Sequence, residues 1–170
     1  NYIPAPQSIY EGIAKLPPGT WLEIDEGMVN RRELPEPRVY WSARQAADQG
    51  LAHPLSFGSD KEAVDALEQV LGQAVRGQML SDVSLGAFLS GGIDSSTIVA
   101  LMQAGSTQPV RTFSIGFHDK AYDEAEHAKA VAAHLGTQHT ELYVTPDDAL
   151  AVVPRLPEMY DEPFADSSQL

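Results

Sequence analysis

The stretch from residue 83 to residue 104 constrains the fold more than any other part of the sequence. Val83 to Leu89 is short, apolar and uncharged, as expected of a strand that is buried on both faces of a parallel sheet. Two adjacent glycines follow it, and Ser96 to Ala104 then has a helical pattern that Gly105 ends. A buried strand that turns straight into a helix is typical of an open α/β sheet.

Strands and helices continue to alternate on either side of this junction. Ser59 and Glu62 have capping-box spacing and precede apolar residues that recur at helical intervals. Two more strands are predicted at 110–117 and 139–144, and two more helices begin at Asp123 and Thr145. The sequence therefore predicts an α/β fold with a parallel twisted sheet and helices on both of its faces.

The N-terminal part of the chain follows a different pattern. Thr20 to Ile24 alternates polar and apolar residues, residues 25–27 have the composition of a turn, and Met28-Val29 resumes the apolar pattern. This arrangement predicts a short β-hairpin that precedes the α/β part. Residues 42–58 show little periodicity, and we interpret them as a linker.

Charge balance and residue types exclude several function classes. Eleven basic against 24 acidic side chains give a net charge of −13, which argues against a basic nucleic-acid-binding surface. The sequence has no cysteine, so disulfides, thiolate metal sites and a cysteine nucleophile are excluded for these residues. No run approaches the ~20 apolar residues of a membrane span, and nothing resembles a signal peptide. We therefore expect a cytoplasmic protein.

The loop after the first predicted α/β strand carries the clearest chemistry. Gly91 and Gly92 lack Cβ atoms, which lets the backbone turn tightly and approach a ligand. The helix that follows offers free N–H groups and the positive end of its dipole to an anion. Asp94 would repel an anion unless a Mg²⁺ ion lies between its carboxylate and the phosphates. Hydroxyl donors for phosphate oxygens come from Ser90, Ser95 and Ser96.

Other glycine-rich motifs fit the same stretch poorly. A phosphate-binding P-loop requires lysine where the sequence has Gly92. A hydrolase nucleophile elbow centred on Ser90 requires glycine where the sequence has Phe88, and the loop lacks the dinucleotide-binding pattern. The remaining alternative is that the two glycines only permit a tight turn between strand and helix.

Histidines and acidic residues elsewhere have simpler interpretations than metal binding or catalysis. The spacings of the histidines at 118, 127, 134 and 139 match no zinc-binding motif, and His127 and His134 are expected on a helix face. Asp123, Glu124 and Glu126 begin a predicted helix, where the helix dipole favours carboxylates.

The loop from Leu89 to Ser96 resembles the pyrophosphate-binding loop of the N-type ATP pyrophosphatases. This group includes asparagine, β-lactam, GMP, NAD and argininosuccinate synthetases. Its members cleave ATP between the α and β phosphates, adenylate a carboxylate or carbonyl, and release pyrophosphate. A loop that holds the departing pyrophosphate needs backbone donors and Mg²⁺ more than it needs a mobile lysine.

The other motifs closely resemble asparagine synthetase of the glutamine-hydrolysing type, over essentially the whole chain. This resemblance implies that residues 1–41 are the tail of a glutaminase domain and residues 42–58 a linker. Residues 59–170 would be the N-terminal half of an ATP-pyrophosphatase domain, so that the chain is a fragment. The segments that carry the similarity are 2–4, 9–13, 16–19, 40–41, 111–117, 122–124, 135–139 and 160–168.

The resemblance also implies roles for individual residues. Asp94 is expected to ligate Mg²⁺, and Leu89 and Ile115 are expected to pack against the adenosine of ATP. The contacts to pyrophosphate are expected from Ser90, Gly91, Gly92, Ser95 and Ser96. Four residues fall in the active-site wall of the family, with individual roles left open: Asp161, Glu162, Asp166 and Ser167.

The implied function is ATP-dependent amidation of aspartate to asparagine through β-aspartyl-AMP, with ammonia from glutamine hydrolysed in a domain outside this chain. The alternatives are an amidotransferase that acts on a sugar carboxylate or a peptide, and a non-catalytic ATP-binding module. We expect small-molecule substrates, no nucleic-acid or membrane partner, and a homo-oligomeric parent enzyme. The fragment alone is expected to expose residues 83–89 as a sheet edge, to bind MgATP weakly, and to lack synthetase activity.

Overall fold

The computed structural model describes residues 2–117 and 124–164. The chain divides into two compact units, one containing residues up to 56 and from 151 onward, and the other containing residues 57–150. No helix in the described part of the chain is long and apolar enough to cross a membrane. Four residues that the sequence analysis weighs individually lie outside the described ranges: His118, Asp123, Asp166 and Ser167.

The first unit contains a short antiparallel strand pair. Strand β1 (Thr20–Trp21) pairs with β2 (Arg38–Val39), and Trp21 lies opposite Arg38. The Arg38 guanidinium lies 5.1 Å from the centroid of the Trp21 ring, which is a cation–π distance. The predicted antiparallel pair is confirmed, but its second strand comes from a different part of the sequence.

The prediction that Met28-Val29 forms the second strand is wrong. Helix α1 (Glu26–Arg31) occupies these positions. The Asp25 carboxylate accepts a hydrogen bond of 2.7 Å from the Met28 N–H, as an N-cap residue does. Asp25 therefore begins a helix instead of a turn, and the chain reaches the partner strand only at Arg38.

A helix also occupies the segment interpreted as a linker. Helix α2 spans Ala43–Ala52, and the Ser42 hydroxyl caps it by accepting a hydrogen bond of 3.3 Å from the Gln45 N–H. None of its residues is buried, so good helix formers such as alanine and glutamine account for it. The Ser42 cap and this composition were usable sequence signals for the helix.

The second unit confirms the predicted α/β fold class. After α2, the elements of the chain are α3 (Asp60–Gln78), β3 (Gly86–Phe88), α4 (Ile93–Ala104), β4 (Arg111–Phe117), α5 (Ala125–Leu135), β5 (Gln138–Val144), α6 (Pro146–Val152), a 3₁₀ turn (Val153–Arg155) and α7 (Leu156–Tyr160). The sheet has the order β3, β4, β5, and both strand pairs are parallel. Strands β4 and β5 agree with their predicted ranges to within one residue at the N-terminal end.

The helix starts follow the predicted capping residues with small differences. The Ser59 hydroxyl accepts a hydrogen bond of 3.3 Å from the Glu62 N–H, while the Glu62 carboxylate accepts one of 2.8 Å from the Gly58 N–H. The capping box of α3 is therefore present, except that the Glu62 carboxylate bonds to the N–H of Gly58 and not to that of Ser59. Helix α4 begins at Ile93, before the predicted Ser96, and Glu124 precedes α5 without a side-chain capping bond.

Helices α4 and α5 pack on the same face of the sheet. Ala87 of β3 lies on this face and contacts both clusters of buried side chains. Because burying apolar side chains is the main favourable contribution to folding, these clusters hold the helices on the sheet. Their buried members are Leu89, Val99, Ala128 and Ala132 in one cluster, and Val75, Met102 and Val110 in the other.

The opposite face of the sheet is largely open among the described residues. On the covered face, Thr112 and Ser114 are buried. On the open face, Phe88 is 80% exposed, and Ile115 and Phe117 are also accessible. Residues 83–89 are therefore not a strand buried on both faces, since among the described residues helices cover only one side of β3. The expectation that this segment is a sheet edge is confirmed for Gly86–Phe88.

The turn from β3 into α4 passes close to the start of α5. The Leu89 N–H donates a hydrogen bond of 2.8 Å to the Phe113 carbonyl, which extends the pairing with β4. Gly91 has a φ of 80°. A Cβ atom at Gly91 would lie 2.7 Å from His127 Cβ and 2.8 Å from the Ala128 nitrogen. Only glycine satisfies both the positive φ and this close approach.

We expect Gly91→Ala to destabilise the second unit more than Gly136→Ala. Gly136 has a φ of 70°, and no atom of the described residues lies within 4 Å of the position that a Cβ would take. Its substitution therefore costs only the backbone strain, about 1 kcal/mol. Gly91→Ala adds a backbone clash, and we expect a total loss of about 3 kcal/mol. Urea denaturation measures both variants, and equal losses would contradict the close packing at Gly91.

We expect Val99→Ala to lower the free energy of unfolding by about 2 kcal/mol, because it removes two methyl groups from a fully buried site and leaves a cavity. Val99 has no exposed surface. The matched control is Val83→Ala at a side chain that is 75% exposed, where we expect little change. Chemical denaturation of both variants measures the difference, and a Val99→Ala variant as stable as Val83→Ala would refute this core.

We expect α6 to lose a capping interaction on acidification. The Asp148 carboxylate accepts hydrogen bonds of 2.7 Å from the Thr145 hydroxyl and 2.9 Å from the Thr145 N–H, and these donors hold the pKa of Asp148 below its usual range. A lowered folded-state pKa stabilises the fold above about pH 4, and this stabilisation is lost as the pH falls further. Amide chemical shifts of α6 should follow this titration, and should stop following it in Asp148→Asn but not in Asp147→Asn.

Candidate functional site

Two serine hydroxyls hold the loop between β3 and α4 in its turn. Ser90 Oγ and Ser95 Oγ lie 2.9 Å apart, and Ser95 Oγ also accepts a hydrogen bond of 3.2 Å from the Ser90 N–H. Ser90 Oγ accepts a further bond of 3.3 Å from the Gly92 N–H. Two residues with a predicted role in pyrophosphate binding are thus brought together, and they also stabilise the shape of the loop.

The first turn of α4 offers backbone donors to a ligand. The N–H groups of Ile93, Asp94 and Ser95 have no acceptor within residues 2–117 and 124–164. Gly92 is the N-cap residue and contributes no side-chain cap. Because the first N–H groups of a helix point beyond its start, where the dipole is positive, this end of α4 can accept an anion.

Two further side chains of α4 fit a site for a phosphate and a cation. Ser96 Oγ is buried and has no hydrogen-bond partner among the described residues, an arrangement that costs free energy unless an acceptor is supplied. Asp94 is exposed in the first turn of α4. Its carboxylate forms no ion pair within the described part of the chain, so both of its oxygens are accessible to a cation.

A shallow cavity of about 180 Å³ lies beside the loop. Ile115, which has a predicted role in packing against adenosine, lines it and is 45% exposed. Leu89 also lines it, but its side chain is only 1% exposed and belongs to the buried cluster with Val99. The cavity is smaller than the roughly 300–1,000 Å³ of typical ligand pockets, so it has room for part of a nucleotide. Its other lining residues are Phe88, Ser90, Phe113, Ser114 and Glu124.

Asp161 and Glu162 belong to the first unit, where the N-terminal segment holds them. Lys15 Nζ lies 2.5 Å from Glu162 Oε1 and also donates a hydrogen bond of 2.7 Å to the Ile3 carbonyl. The Tyr10 hydroxyl donates a bond of 3.1 Å to the Asp161 carbonyl. The Glu162 carboxylate is therefore neutralised by a lysine. The remaining two residues predicted for the active-site wall, Asp166 and Ser167, lie outside the described residues.

Sequence reasoning missed two features, one in each unit. Nothing in the proline-rich N-terminal segment indicates that Lys15 contacts Glu162, because the two residues are far apart in the sequence. The second feature is a polar network in which His139 contacts Thr112 and Ser114. The alternation of polar and apolar residues in 111–117 was a usable signal, since it places Thr112 and Ser114 on one face of a strand.

Comparisons with known proteins relate the chain to one family. The family model described as asparagine synthase matches residues 66–170. The chain is 36% identical over 169 residues to a putative glutamine-hydrolysing asparagine synthetase 2 of Methanocaldococcus jannaschii, an alignment that covers 99% of this chain and 30% of that protein. It is 28% identical over 171 residues to the glutamine-hydrolysing asparagine synthetase 1 of Bacillus subtilis, covering 100% of this chain and 25% of the relative.

A third relative is a putative glutamine-hydrolysing asparagine synthetase of Mycobacterium tuberculosis, which is 32% identical over 166 residues and of which the chain covers 24%. The chain thus spans between 24% and 30% of the length of these three relatives. The family match extends over more than half of the chain and includes the loop that joins β3 to α4. By this match, the chain belongs to the asparagine synthase family.

Proposed function

We propose that the loop between β3 and α4 binds the pyrophosphate part of ATP. The observation that carries this proposal is the set of free N–H groups at Ile93, Asp94 and Ser95, directly after two glycines. Phosphate oxygens are strong acceptors and are favoured at the positive end of a helix. The unpartnered hydroxyl of Ser96 supports the same conclusion, because a phosphate oxygen would satisfy it.

We infer that a Mg²⁺ ion binds between Asp94 and the phosphates. Mg²⁺ is commonly held by one or two carboxylates together with substrate phosphates, and it keeps several waters. Among the described residues, no group of three or more histidine, aspartate or glutamate side chains could hold a metal ion. A single exposed carboxylate therefore fits an ion that arrives with the nucleotide.

The adenosine of ATP would lie in the cavity beside the loop, against the exposed side chain of Ile115. The cavity and the loop share Ser90, so a nucleotide could occupy both at once. Leu89 would contribute its backbone, because its side chain faces the buried cluster. We therefore propose that Leu89 contacts adenosine through its backbone only.

The reaction proposed for the whole protein is the ATP-dependent synthesis of asparagine. A carboxylate oxygen of aspartate attacks the α phosphorus of ATP, which forms β-aspartyl-AMP and releases pyrophosphate. Ammonia released from glutamine then attacks the acyl carbon and displaces AMP. The support is the similarity to relatives that are named as glutamine-hydrolysing asparagine synthetases. The loop and Mg²⁺ would stabilise the negative charge that develops on the departing pyrophosphate.

We expect Asp94→Asn to weaken binding of MgATP about tenfold, because it removes a carboxylate ligand of the ion. Binding of ATP without Mg²⁺ should change little or improve, since a negative charge beside the phosphates is removed. Isothermal titration with and without Mg²⁺ measures both quantities. The control is Asp82→Asn, which makes the same change at an exposed residue that precedes β3 and so lies away from the loop.

The whole protein provides a second measurement of the same variant. Asp94→Asn should abolish ATP–pyrophosphate exchange and leave glutamine hydrolysis intact. Normal exchange in this variant would contradict the assignment of the loop. Release of AMP that depends on a uronic acid or a peptide, and not on aspartate, would instead identify a different acceptor. ATP binding without any formation of pyrophosphate would identify a non-catalytic module.

A further inference from the structure

Residues 3–15 form a loop that closes on itself, which we call the N-terminal loop. The Lys15 N–H donates a hydrogen bond of 2.9 Å to the Pro6 carbonyl. Within the segment that this bond encloses, the Ser8 hydroxyl donates one of 2.7 Å to the Ile13 carbonyl. Because these bonds join positions several residues apart, the loop holds its shape through its own contacts, as compact surface loops do.

The N-terminal loop presents two donors to the turn at Asp161 and Glu162, which we call the α7 turn because it follows that helix. Lys15 Nζ donates a hydrogen bond of 2.5 Å to Glu162 Oε1, and the Tyr10 hydroxyl donates one of 3.1 Å to the Asp161 carbonyl. Both directions are fixed, because an ammonium group only donates and a carbonyl only accepts. Lys15 Nζ also bonds to the Ile3 carbonyl at 2.7 Å, so the loop itself helps to hold the ammonium group in place.

The ion pair of Lys15 and Glu162 is better shielded from water than a typical surface pair. Its side chains are 32% and 27% exposed. Lys61 and Asp65 of α3 form an ion pair at the same distance of 2.5 Å, but their side chains are 82% and 56% exposed. Exposed pairs contribute little because water and salt screen them and because both side chains lose freedom. Lys15 therefore stabilises its contact more than Lys61 does, and Lys61 is a matched control.

Asp161 has a backbone conformation that neighbouring contacts must support. Its φ is 58°, in the left-handed region, which costs free energy for a residue other than glycine. Its N–H donates a hydrogen bond of 3.0 Å to the Pro157 carbonyl, and its own carbonyl accepts the bond from Tyr10. The N-terminal loop thus contributes directly to holding the α7 turn in this conformation.

The contact joins two parts of the chain that relate differently to the family. The asparagine synthase match begins at residue 66, so it includes the α7 turn and excludes the N-terminal loop. The relatives that align with both parts are named as glutamine-hydrolysing asparagine synthetases, a name that combines two reactions. A contact between two parts of a protein can make the state of one depend on the state of the other.

We propose that Lys15 and Tyr10 form a conformational link through which the N-terminal loop and the α7 turn stabilise each other, and that this link couples glutamine hydrolysis to asparagine synthesis. Lys15 is then a positioning residue for Glu162, and Tyr10 for Asp161. The coupling of the two reactions rests on the proposed function. The mutual stabilisation does not, because it is reciprocal whatever ligand the protein binds.

The first experiment measures amide hydrogen exchange in the whole protein and needs no activity. Lys15→Met keeps the aliphatic stem and removes the charge, and we expect the Asp161 N–H to exchange about threefold faster. Glu162→Ala should have the reciprocal effect on the Lys15 N–H, and Lys15→Met should add nothing at Asp161 in the Glu162→Ala background. Lys61→Met should change neither amide. Native exchange at Asp161 in Lys15→Met, or at Lys15 in Glu162→Ala, would overturn the link.

The second experiment measures how many glutamine molecules the whole protein consumes for each asparagine that it forms. We expect this ratio to rise about threefold in Lys15→Met, while glutamine hydrolysis and synthesis from added ammonium keep their native rates. Lys15→Arg retains a cationic donor and should keep the native ratio. Tyr10→Phe removes one hydroxyl and should raise the ratio, so it provides the same test if Lys15→Met does not fold.

A native ratio in both Lys15→Met and Tyr10→Phe would overturn the coupling, as would loss of synthesis from ammonium in these variants, because the two residues would then serve the synthesis itself. A native protein that forms no asparagine from glutamine or from ammonium would refute the proposed function and the coupling with it. The hydrogen-exchange experiment would still decide whether the N-terminal loop and the α7 turn stabilise each other, so the two failures are distinguishable.

Discussion

The close packing of the β3–α4 loop against α5 is the contact on which the candidate site depends. Because Gly91 lies so near His127 Cβ and the Ala128 nitrogen, no side chain separates the loop from the helix. Ala128 is buried in the same cluster as Leu89 and Val99, which flank the loop in the sequence. A densely packed cluster has few alternative arrangements. The packing that stabilises the unit therefore also sets the direction in which the first N–H groups of α4 point.

The two faces of strand β4 lie in different environments. On the covered face its polar side chains, Thr112 and Ser114, lie beneath α5 and bond to the imidazole of His139. On the open face it presents apolar side chains, including Ile115. A buried hydroxyl costs free energy unless it has a partner, and His139 provides a partner for both of these side chains on the covered face. The proposed nucleotide cavity lies where the two environments meet, at the ends of β3 and β4.

Local patterns predicted the elements that depend on local physics. Strand β4 and the start of α3 agree with their predicted positions because alternation, apolar runs and a serine cap act over a few residues. The predicted partner strand of Thr20–Trp21 was wrong because Asp25 can begin either a turn or a helix. Its hydrogen bond from the Met28 N–H stabilises the helix. The exposed helix at Ala43–Ala52 was not predicted, although its serine cap and its helix-forming residues were signals in the sequence.

The sequence by itself determined the α/β class, the place of the strand–loop–helix junction, and the residue types that make the loop a candidate for binding phosphate. It did so because glycine, serine and helix-start signals act through the backbone at short range. Only the tertiary structure decided that Lys15 neutralises Glu162 and that His139 bonds to Ser114. It also decided that Leu89 faces the core and Ile115 the cavity. These contacts join residues distant in sequence, and packing between whole elements, with its demand that buried polar groups be satisfied, selects them.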